Sequence, residues 1–134
     1  YKNARSLAER RSFTVEEIKQ IAVSVLQILM YLQKRTPPVI HRDIKFGNVL
    51  VTVDDLGFPS NVVISDLGSS RSLASTIGTV VGTDGFMVSS LNSRLLILWK
   101  APEVKTGKYD SSADIFSFGV MMSIIFKEFS NELK

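Results

Sequence analysis

The sequence predicts an α+β fold in which helices predominate, and three observations in its 134 residues carry this prediction. An amphipathic pattern of helical period runs through residues 14–35, which indicates a helix with one buried face. Short apolar runs at 39–40 and 49–53 enclose a polar segment, which indicates a strand, a loop and a second strand. Residues 115–126 are apolar on nearly every side, which indicates a centrally buried helix.

The first helix has a recognisable start and end. Residues 1–12 before it are polar and basic, and we expect them to form the end of an earlier helix or a loop. Thr14 and Glu17 have the spacing of a capping box, with Thr14 as the N-cap. The predicted apolar face consists of Ile18, Ile21, Ala22, Val25, Leu26, Leu29 and Leu32. Pro37-Pro38 ends the helix because a proline disfavours helical backbone at the residue before it.

Polar residues stand at fixed offsets in the segment His41-Arg42-Asp43-Ile44-Lys45-Phe46-Gly47-Asn48. An acid, a base two positions later and an amide five positions later lie between short strands, which give reactive groups a rigid support. A turn at 54–59 and an apolar run at 62–64 predict a hairpin with the strand at 49–53. The hairpin would bring Asp66 back beside Asn48, so that two oxygen ligands for a metal ion meet.

The segment after this hairpin has a different character. Residues 69–100 show little periodicity and are rich in Ser, Thr and Gly, which predicts a mobile surface loop. Its candidate phosphorylation sites are Ser72, Ser75, Thr76 and Thr79. Ser111 and Asp114 then have a capping-box-like spacing before the apolar helix.

Composition limits the function classes. Lys and Arg total 16 against 13 Asp and Glu, and this small, scattered excess gives no case for nucleic-acid binding. The chain has no cysteine, which excludes disulfides and thiolate metal sites. No signal peptide is recognisable and no apolar run approaches the roughly 20 residues of a membrane span. We therefore expect a cytoplasmic protein without a membrane span; the oligomeric state is left open.

Four motifs in the right order resemble those of a eukaryotic-type protein kinase of the serine/threonine, or tyrosine-kinase-like, type. They are the loop at 41–48, Asp66-Leu67-Gly68, Gly82-Thr83 with Ala101-Pro102-Glu103, and Asp114-Ile115-Phe116-Ser117-Phe118-Gly119. The resemblance extends over residues 14–126 and implies the mostly helical large C-terminal lobe of the protein kinase-like fold, incomplete at both ends. Residues 1–134 would then be part of one kinase domain.

The resemblance implies a catalytic role for Asp43 and Lys45 and a cofactor-binding role for Asn48, Leu50 and Asp66, with ATP and magnesium as cofactors. Asp43 would accept the proton of the substrate hydroxyl, and Lys45 would stabilise the transferring phosphoryl group. Asp66 would be the main magnesium ligand, and Asn48 would bind the second magnesium ion. Leu50 would lie under the adenine. A lysine two positions after the catalytic acid is typical of serine/threonine kinases.

Other matching residues would support the catalytic loop. His41 would pack against Leu67, and Gly68 would complete the tight turn after Asp66. Arg42 would pair with a phosphorylated residue of the activation loop. Asp114 would accept hydrogen bonds from backbone N–H groups of the catalytic loop.

Two further roles fall in the segment before the second helix. Thr83 would hydrogen-bond near Asp43 and Lys45. Glu103 would form a buried ion pair with an arginine further along the chain. The resemblance also implies that a glycine-rich phosphate loop, a phosphate-pairing lysine and its glutamate partner precede residue 1.

Thirteen residues, 88–100, interrupt the motif that should join Thr83 to Glu103. The run at 95–99 is apolar, although it falls in a substrate-binding loop that should be exposed. One interpretation is an insertion that docks on a partner. The interpretation that we prefer is retained intronic sequence or a gene-model error, because a Val88 codon can begin with GT and a Lys100 codon can end in AG.

Two functions from different classes follow from these observations. The first is transfer of the γ-phosphate of ATP to Ser or Thr hydroxyls of protein substrates, as part of a longer signalling kinase. The alternative is a pseudokinase-like or truncated lobe that binds other proteins without phosphoryl transfer. The chain taken alone is expected to be inactive, because half of the nucleotide site would be missing.

Overall fold

Two helices, a three-stranded sheet and a two-stranded sheet make up the part of the chain that the structure describes. The structure is a computed structural model, and it describes residues 4–9, 12–55, 59–72 and 110–132. In chain order the elements are β1 (Ala4–Ser6), α1 (Val15–Gln33), β2 (Val39–Ile40), β3 (Val49–Val53), β4 (Pro59–Ile64), β5 (Arg71–Ser72) and α2 (Ser112–Glu132). Single 3-10 turns span Leu7–Glu9, Phe46–Asn48 and Leu67–Ser69.

Some sequence predictions fall outside these ranges. They concern the roles of Thr83 and Glu103, the insertion at 88–100, and the candidate phosphorylation sites Ser75, Thr76 and Thr79. The middle of the predicted hairpin turn, residues 56–58, also lies outside the described residues.

The start of α1 is the predicted capping box. The Thr14 hydroxyl accepts a hydrogen bond from the Glu17 backbone N–H at 3.2 Å, and the Glu17 carboxylate accepts one from the Thr14 N–H at 2.8 Å. The helix buries Ile18, Ile21, Val25 and Leu29, which are four of the seven predicted face residues. Each such side chain contributes about 1.5–3 kcal/mol of hydrophobic stabilisation. Leu26 is more exposed than predicted, at 37% of its surface.

The predicted hairpin of β3 and β4 is confirmed, and it belongs to a larger sheet than the sequence suggested. The two strands pair antiparallel from Val49 opposite Ile64 to Val53 opposite Pro59. The strand β1 pairs antiparallel with the other edge of β3, so that the sheet order is β1, β3, β4. The prediction of a helix end or a loop at 1–12 is therefore wrong for Ala4–Ser6. These three residues join the sheet through backbone bonds, without an apolar pattern that would reveal them.

A second small sheet lies at the entrance of the polar loop. Val39 and Ile40 of β2 pair antiparallel with Ser72 and Arg71 of β5. The segment from 69 onward was predicted to be a surface loop, and Arg71–Ser72 within it form a strand instead. Two residues are too few to show a period in the sequence.

The core lies between the sheet and the two helices. Its buried side chains are Leu7, Phe13, Ile18, Ile21, Val25, Leu29, Ile44, Val49, Val51, Val62, Met121, Met122 and Ile125. The amide of Gln20 donates to the Pro59 carbonyl at 2.8 Å, and that of Gln33 donates to the Ser111 hydroxyl at 2.8 Å. These two bonds join α1 to β4 and to the start of α2. Within the described ranges, neither helix is both long enough and apolar enough to span a bilayer.

Two predictions about α2 are corrected. The side chain of Asp110, and not that of Asp114, caps the helix: its Oδ1 accepts from the Ser112 N–H at 2.7 Å. The hydrogen bonds from Ser112 also lower the pKa of the Asp110 carboxyl. The helix is buried on one face and not on all sides, because Ile115 and Phe126 are 46% and 54% exposed.

Candidate active site

The polar loop between β2 and β3 is anchored to α2 by one carboxylate. Asp114 is buried, and its two oxygens accept hydrogen bonds from the backbone N–H groups of His41 at 2.7 Å and Arg42 at 2.8 Å. Burial raises the pKa of the Asp114 carboxyl above its ordinary value, while the two N–H bonds oppose that rise. This is the arrangement that the resemblance implied for Asp114, and it explains why this carboxylate does not cap α2.

A buried histidine connects the loop to the end of the hairpin. The Nδ1 atom of His41 accepts from the Asp43 N–H at 3.3 Å, and its Nε2 lies 3.0 Å from the Ser65 carbonyl oxygen. The His41 ring therefore lies between the backbone of Asp43 and that of Ser65 and contacts both.

Two polar side chains, those of Asn48 and Lys45, contact the carboxylate of Asp43. Its Oδ2 accepts a hydrogen bond from the Asn48 amide nitrogen at 3.0 Å and lies 2.9 Å from the Lys45 ammonium. The Asn48 amide nitrogen also donates to the Asp43 backbone carbonyl at 2.8 Å. Asp43 is 9% exposed, so these contacts are screened less than a surface pair. The carboxylate of Asp43 is consequently fixed in orientation while one edge remains near solvent.

The hairpin brings the next acid to the same place. The Ser65 N–H donates to the Asn48 carbonyl at 2.8 Å, immediately before Asp66 in the chain. Asp66 is exposed and has a left-handed backbone, with φ 62° and ψ 65°. Its Oδ1 accepts from the Gly68 N–H at 3.3 Å, and a Cβ added to Gly68 would lie 3.1 Å from this oxygen. Glycine therefore suits the tight turn that presents Asp66.

The donor atoms available for a metal ion are those of Asn48 and Asp66. The Asn48 amide nitrogen is engaged with Asp43, which turns the amide oxygen to the other side. An amide oxygen and a carboxylate suit magnesium, which usually takes one or two carboxylates and completes its shell with water and phosphate. Among the described residues, no group of three or more His, Cys, Asp or Glu side chains could hold a metal ion alone.

Other predicted residues occupy the borders of this site. Arg42 is buried with φ 68°, the left-handed region. Leu50 is partly buried in β3, where it pairs with Ser6 of β1 and Val63 of β4.

The expected packing of His41 against Leu67 stays a prediction. Leu67 is 58% exposed, whereas His41 is completely buried. The imidazole contacts polar backbone atoms of Asp43 and Ser65, and Leu67 is the first residue of a 3-10 turn.

Ser65 is the residue of the site that the sequence analysis did not single out. Its backbone N–H and its hydroxyl both donate to the Asn48 carbonyl, at 2.8 and 3.2 Å, and its own carbonyl faces His41. The available signal was its position between the last strand residue and Asp66. A single serine at a strand end is too common to identify such a link.

Comparison with known proteins agrees with this geometry. A family model described as the protein kinase domain matches residues 2–130. The serine/threonine-protein kinase WNK2 of Mus musculus is 37% identical over 99 residues, which are 73% of this chain and 4% of the relative. The serine/threonine-protein kinase WNK8 of Arabidopsis thaliana is 36% identical over 115 residues, which are 85% of this chain and 17% of the relative.

The chain thus spans only a small part of the length of these curated relatives. The family match covers the polar loop, the hairpin and α2 together, so it includes every described residue of the candidate site. On these grounds the chain belongs to the eukaryotic-type serine/threonine protein kinases.

Proposed function

We propose that this chain is part of a longer protein kinase that transfers the γ-phosphate of ATP to Ser or Thr hydroxyls of protein substrates. The observation that carries the proposal is the Asp43 carboxylate, which Lys45 and Asn48 contact at 2.9 and 3.0 Å on one oxygen. Residues 1–134 would belong to the large C-terminal lobe of one kinase domain, with 88–100 as an insertion in its activation segment.

In this proposal Asp43 accepts the proton of the substrate hydroxyl as that oxygen attacks phosphorus. Its two polar partners hold one carboxylate oxygen, so that the carboxylate has a single orientation toward the incoming hydroxyl. Lys45 lies beside the base and is partly exposed, so its ammonium can contact the phosphoryl group. Leu50 would form part of the floor under the adenine.

Asn48 and Asp66 would hold magnesium through an amide and a carboxylate oxygen. Magnesium, when bound, neutralises charge on the ATP phosphates. The residues themselves supply the donors. β3 begins directly after Asn48 and β4 ends shortly before Asp66, so the pairing of Val49 with Ile64 brings the two positions close together. The Asp114 carboxylate holds the loop backbone at His41 and Arg42 in place during phosphoryl transfer.

The test is phosphoryl transfer by the native protein that contains this chain, with ATP, Mg²⁺ and a Ser/Thr protein substrate. Asp43→Asn should lower kcat by at least about 100-fold, because the general base is lost. Asp66→Asn should lower it by orders of magnitude, and it should remain folded because asparagine tolerates left-handed backbone. Asp55→Asn, an exposed acid in the hairpin turn, is the matched control and should retain activity. Near-normal activity of Asp66→Asn would refute its metal role.

A second candidate is a protein-binding lobe without phosphoryl transfer. The exposed apolar side chains of Ile115 and Phe126 on α2 favour it, because such surface commonly meets another protein or domain. Titration of the native protein with Mg²⁺ and ATP separates the two candidates. Saturable binding supports the kinase, and absence of binding supports the pseudokinase.

A further inference from the structure

We propose that Ser65 is a positioning residue that fixes Asp66 relative to Asn48, and that its hydroxyl is the part of the residue that tunes this placement. The inference rests on the proposed function for its effect on ATP binding, because it assumes that these two side chains both bind magnesium. The positioning role itself is argued from the contacts of Ser65 at the end of the hairpin.

Ser65 is attached to the Asn48 carbonyl twice. The backbone N–H donates at 2.8 Å and the hydroxyl at 3.2 Å to the same oxygen. A carbonyl oxygen has two lone pairs, so both bonds can form together. One bond alone leaves the peptide plane free to tilt about it, whereas two bonds from different directions restrict that tilt.

The third contact of Ser65 extends the connection toward the rest of the loop. Its carbonyl faces the His41 Nε2 at 3.0 Å, and the His41 backbone N–H donates to the buried Asp114. The backbone before Asp66 is thus tied to β3 on one side and, through a buried ring, to α2 on the other. Asp66 itself is exposed, so its position depends on the attachment of the residue that precedes it.

The hydroxyl bond is the one link that a substitution can remove selectively. The two backbone contacts of Ser65 are available to any residue, so Ser65→Ala deletes only the bond at 3.2 Å. Ser65→Thr keeps a hydroxyl, and its β-branched side chain suits a strand end. The hairpin also offers a matched control: the hydroxyl of Ser60 lies 3.0 Å from that of Thr52, at the opposite end of β4.

The first measurement is binding of ATP by calorimetry in the native protein, at a series of Mg²⁺ concentrations. Loss of one hydrogen bond should raise the Mg²⁺ concentration for half-maximal ATP binding by about 2- to 10-fold in Ser65→Ala. ATP binding without Mg²⁺ should be unchanged, Ser65→Thr should restore the wild-type value, and Ser60→Ala should match wild type. An unchanged Mg²⁺ requirement in Ser65→Ala, or failure of threonine to restore it, would overturn the proposal.

The second measurement is amide hydrogen exchange, which does not depend on nucleotide binding. Exchange at residues 66–68 should be faster in Ser65→Ala than in wild type and unchanged in Ser60→Ala. If wild-type protein binds no ATP with Mg²⁺, the proposed function is wrong, and exchange alone then decides whether Ser65 positions Asp66. Equal exchange in both alanine variants would overturn that positioning role.

Discussion

The sharpest structural prediction concerns the buried carboxylate of Asp114. Its two oxygens accept from the backbone N–H groups of His41 and Arg42, at 2.7 and 2.8 Å. Asp114→Asn keeps one acceptor oxygen but turns an NH₂ group toward the second N–H, so that two donors face each other. Asp114→Ala leaves both buried N–H groups without this partner. Asp114→Asn therefore removes one of these two hydrogen bonds, and Asp114→Ala removes both.

The expected loss of unfolding free energy follows from the free energy that such hydrogen bonds contribute. A hydrogen bond to a charged group contributes about 1.5–3 kcal/mol, and an unsatisfied buried donor costs about 1–3 kcal/mol. Loss of the buried charge offsets part of this, because burial raises the pKa of Asp114 and so disfavours the ionised form. We expect Asp114→Asn to lower the free energy of unfolding by about 2 kcal/mol, and Asp114→Ala by about 3–4 kcal/mol.

The assay is urea unfolding of the native protein, together with amide exchange at His41 and Arg42. A loss of about 2 kcal/mol should move the urea midpoint down by about 1 M. Exchange at the two amides should accelerate more in the alanine variant than in the asparagine variant. Ser123→Ala is the control, since this exposed hydroxyl bonds only to the Gly119 carbonyl within α2. If all three variants unfold within about 0.5 kcal/mol of wild type, Asp114 does not anchor the loop.

Three further predictions follow from the described residues. Burial raises the pKa of Asp114 above 3.8, so the folded protein binds more protons than the unfolded chain at pH values between the unfolded-state and the folded-state pKa. The contribution of Asp114 to the free energy of unfolding should therefore fall as pH rises through that range. Asp114→Asn should lack this slope when unfolding is measured from pH 4 to pH 7. Thr14→Ala should lower the free energy of unfolding by about 1 kcal/mol, because it removes one half of the capping box, whereas Glu16→Gln in a surface ion pair should change it by less than about 0.5 kcal/mol. Ile125→Ala should cost about 2–5 kcal/mol and the adjacent Phe126→Ala much less, as measured by urea unfolding; equal losses would mean that the native protein buries both sides of α2, as its hydropathy predicted.

Local spacing predicted those parts of the fold that depend on neighbours in sequence. The capping box of Thr14 and Glu17 lies within one helical turn, so four consecutive residues specify it. The hairpin of β3 and β4 was predictable because two apolar runs flank a turn. By contrast, β1 joins the sheet through backbone groups that every residue has, and its sequence Ala-Arg-Ser carries no signal. The link at Ser65 was missed because a single serine at a strand end is too common to identify such a contact.

Asp114 illustrates a limit of a different kind, because its sequence position fits two uses. Its spacing from Ser111 fits a capping box, while the kinase resemblance implied an anchor for the loop. One carboxylate cannot serve the helix start and the His41 and Arg42 amides together. The competition is resolved by Asp110, which bonds to the Ser112 N–H at 2.7 Å and can do so at the surface without loss of hydration. Asp114 can then occupy the buried position, where desolvation of its carboxylate is offset by hydrogen bonds from the His41 and Arg42 N–H groups.

Hydropathy likewise failed to specify how α2 is covered. An apolar helix requires neighbours on most of its sides, yet the pattern does not identify them. Met121 and Ile125 belong to the core, whereas Ile115 and Phe126 stay about half exposed. The helix α2 thus has exposed apolar surface and, through Asp114, also anchors the loop that carries Asp43. Whatever covers this face in the native protein also stabilises α2, and through Asp114 it would stabilise the loop that carries Asp43.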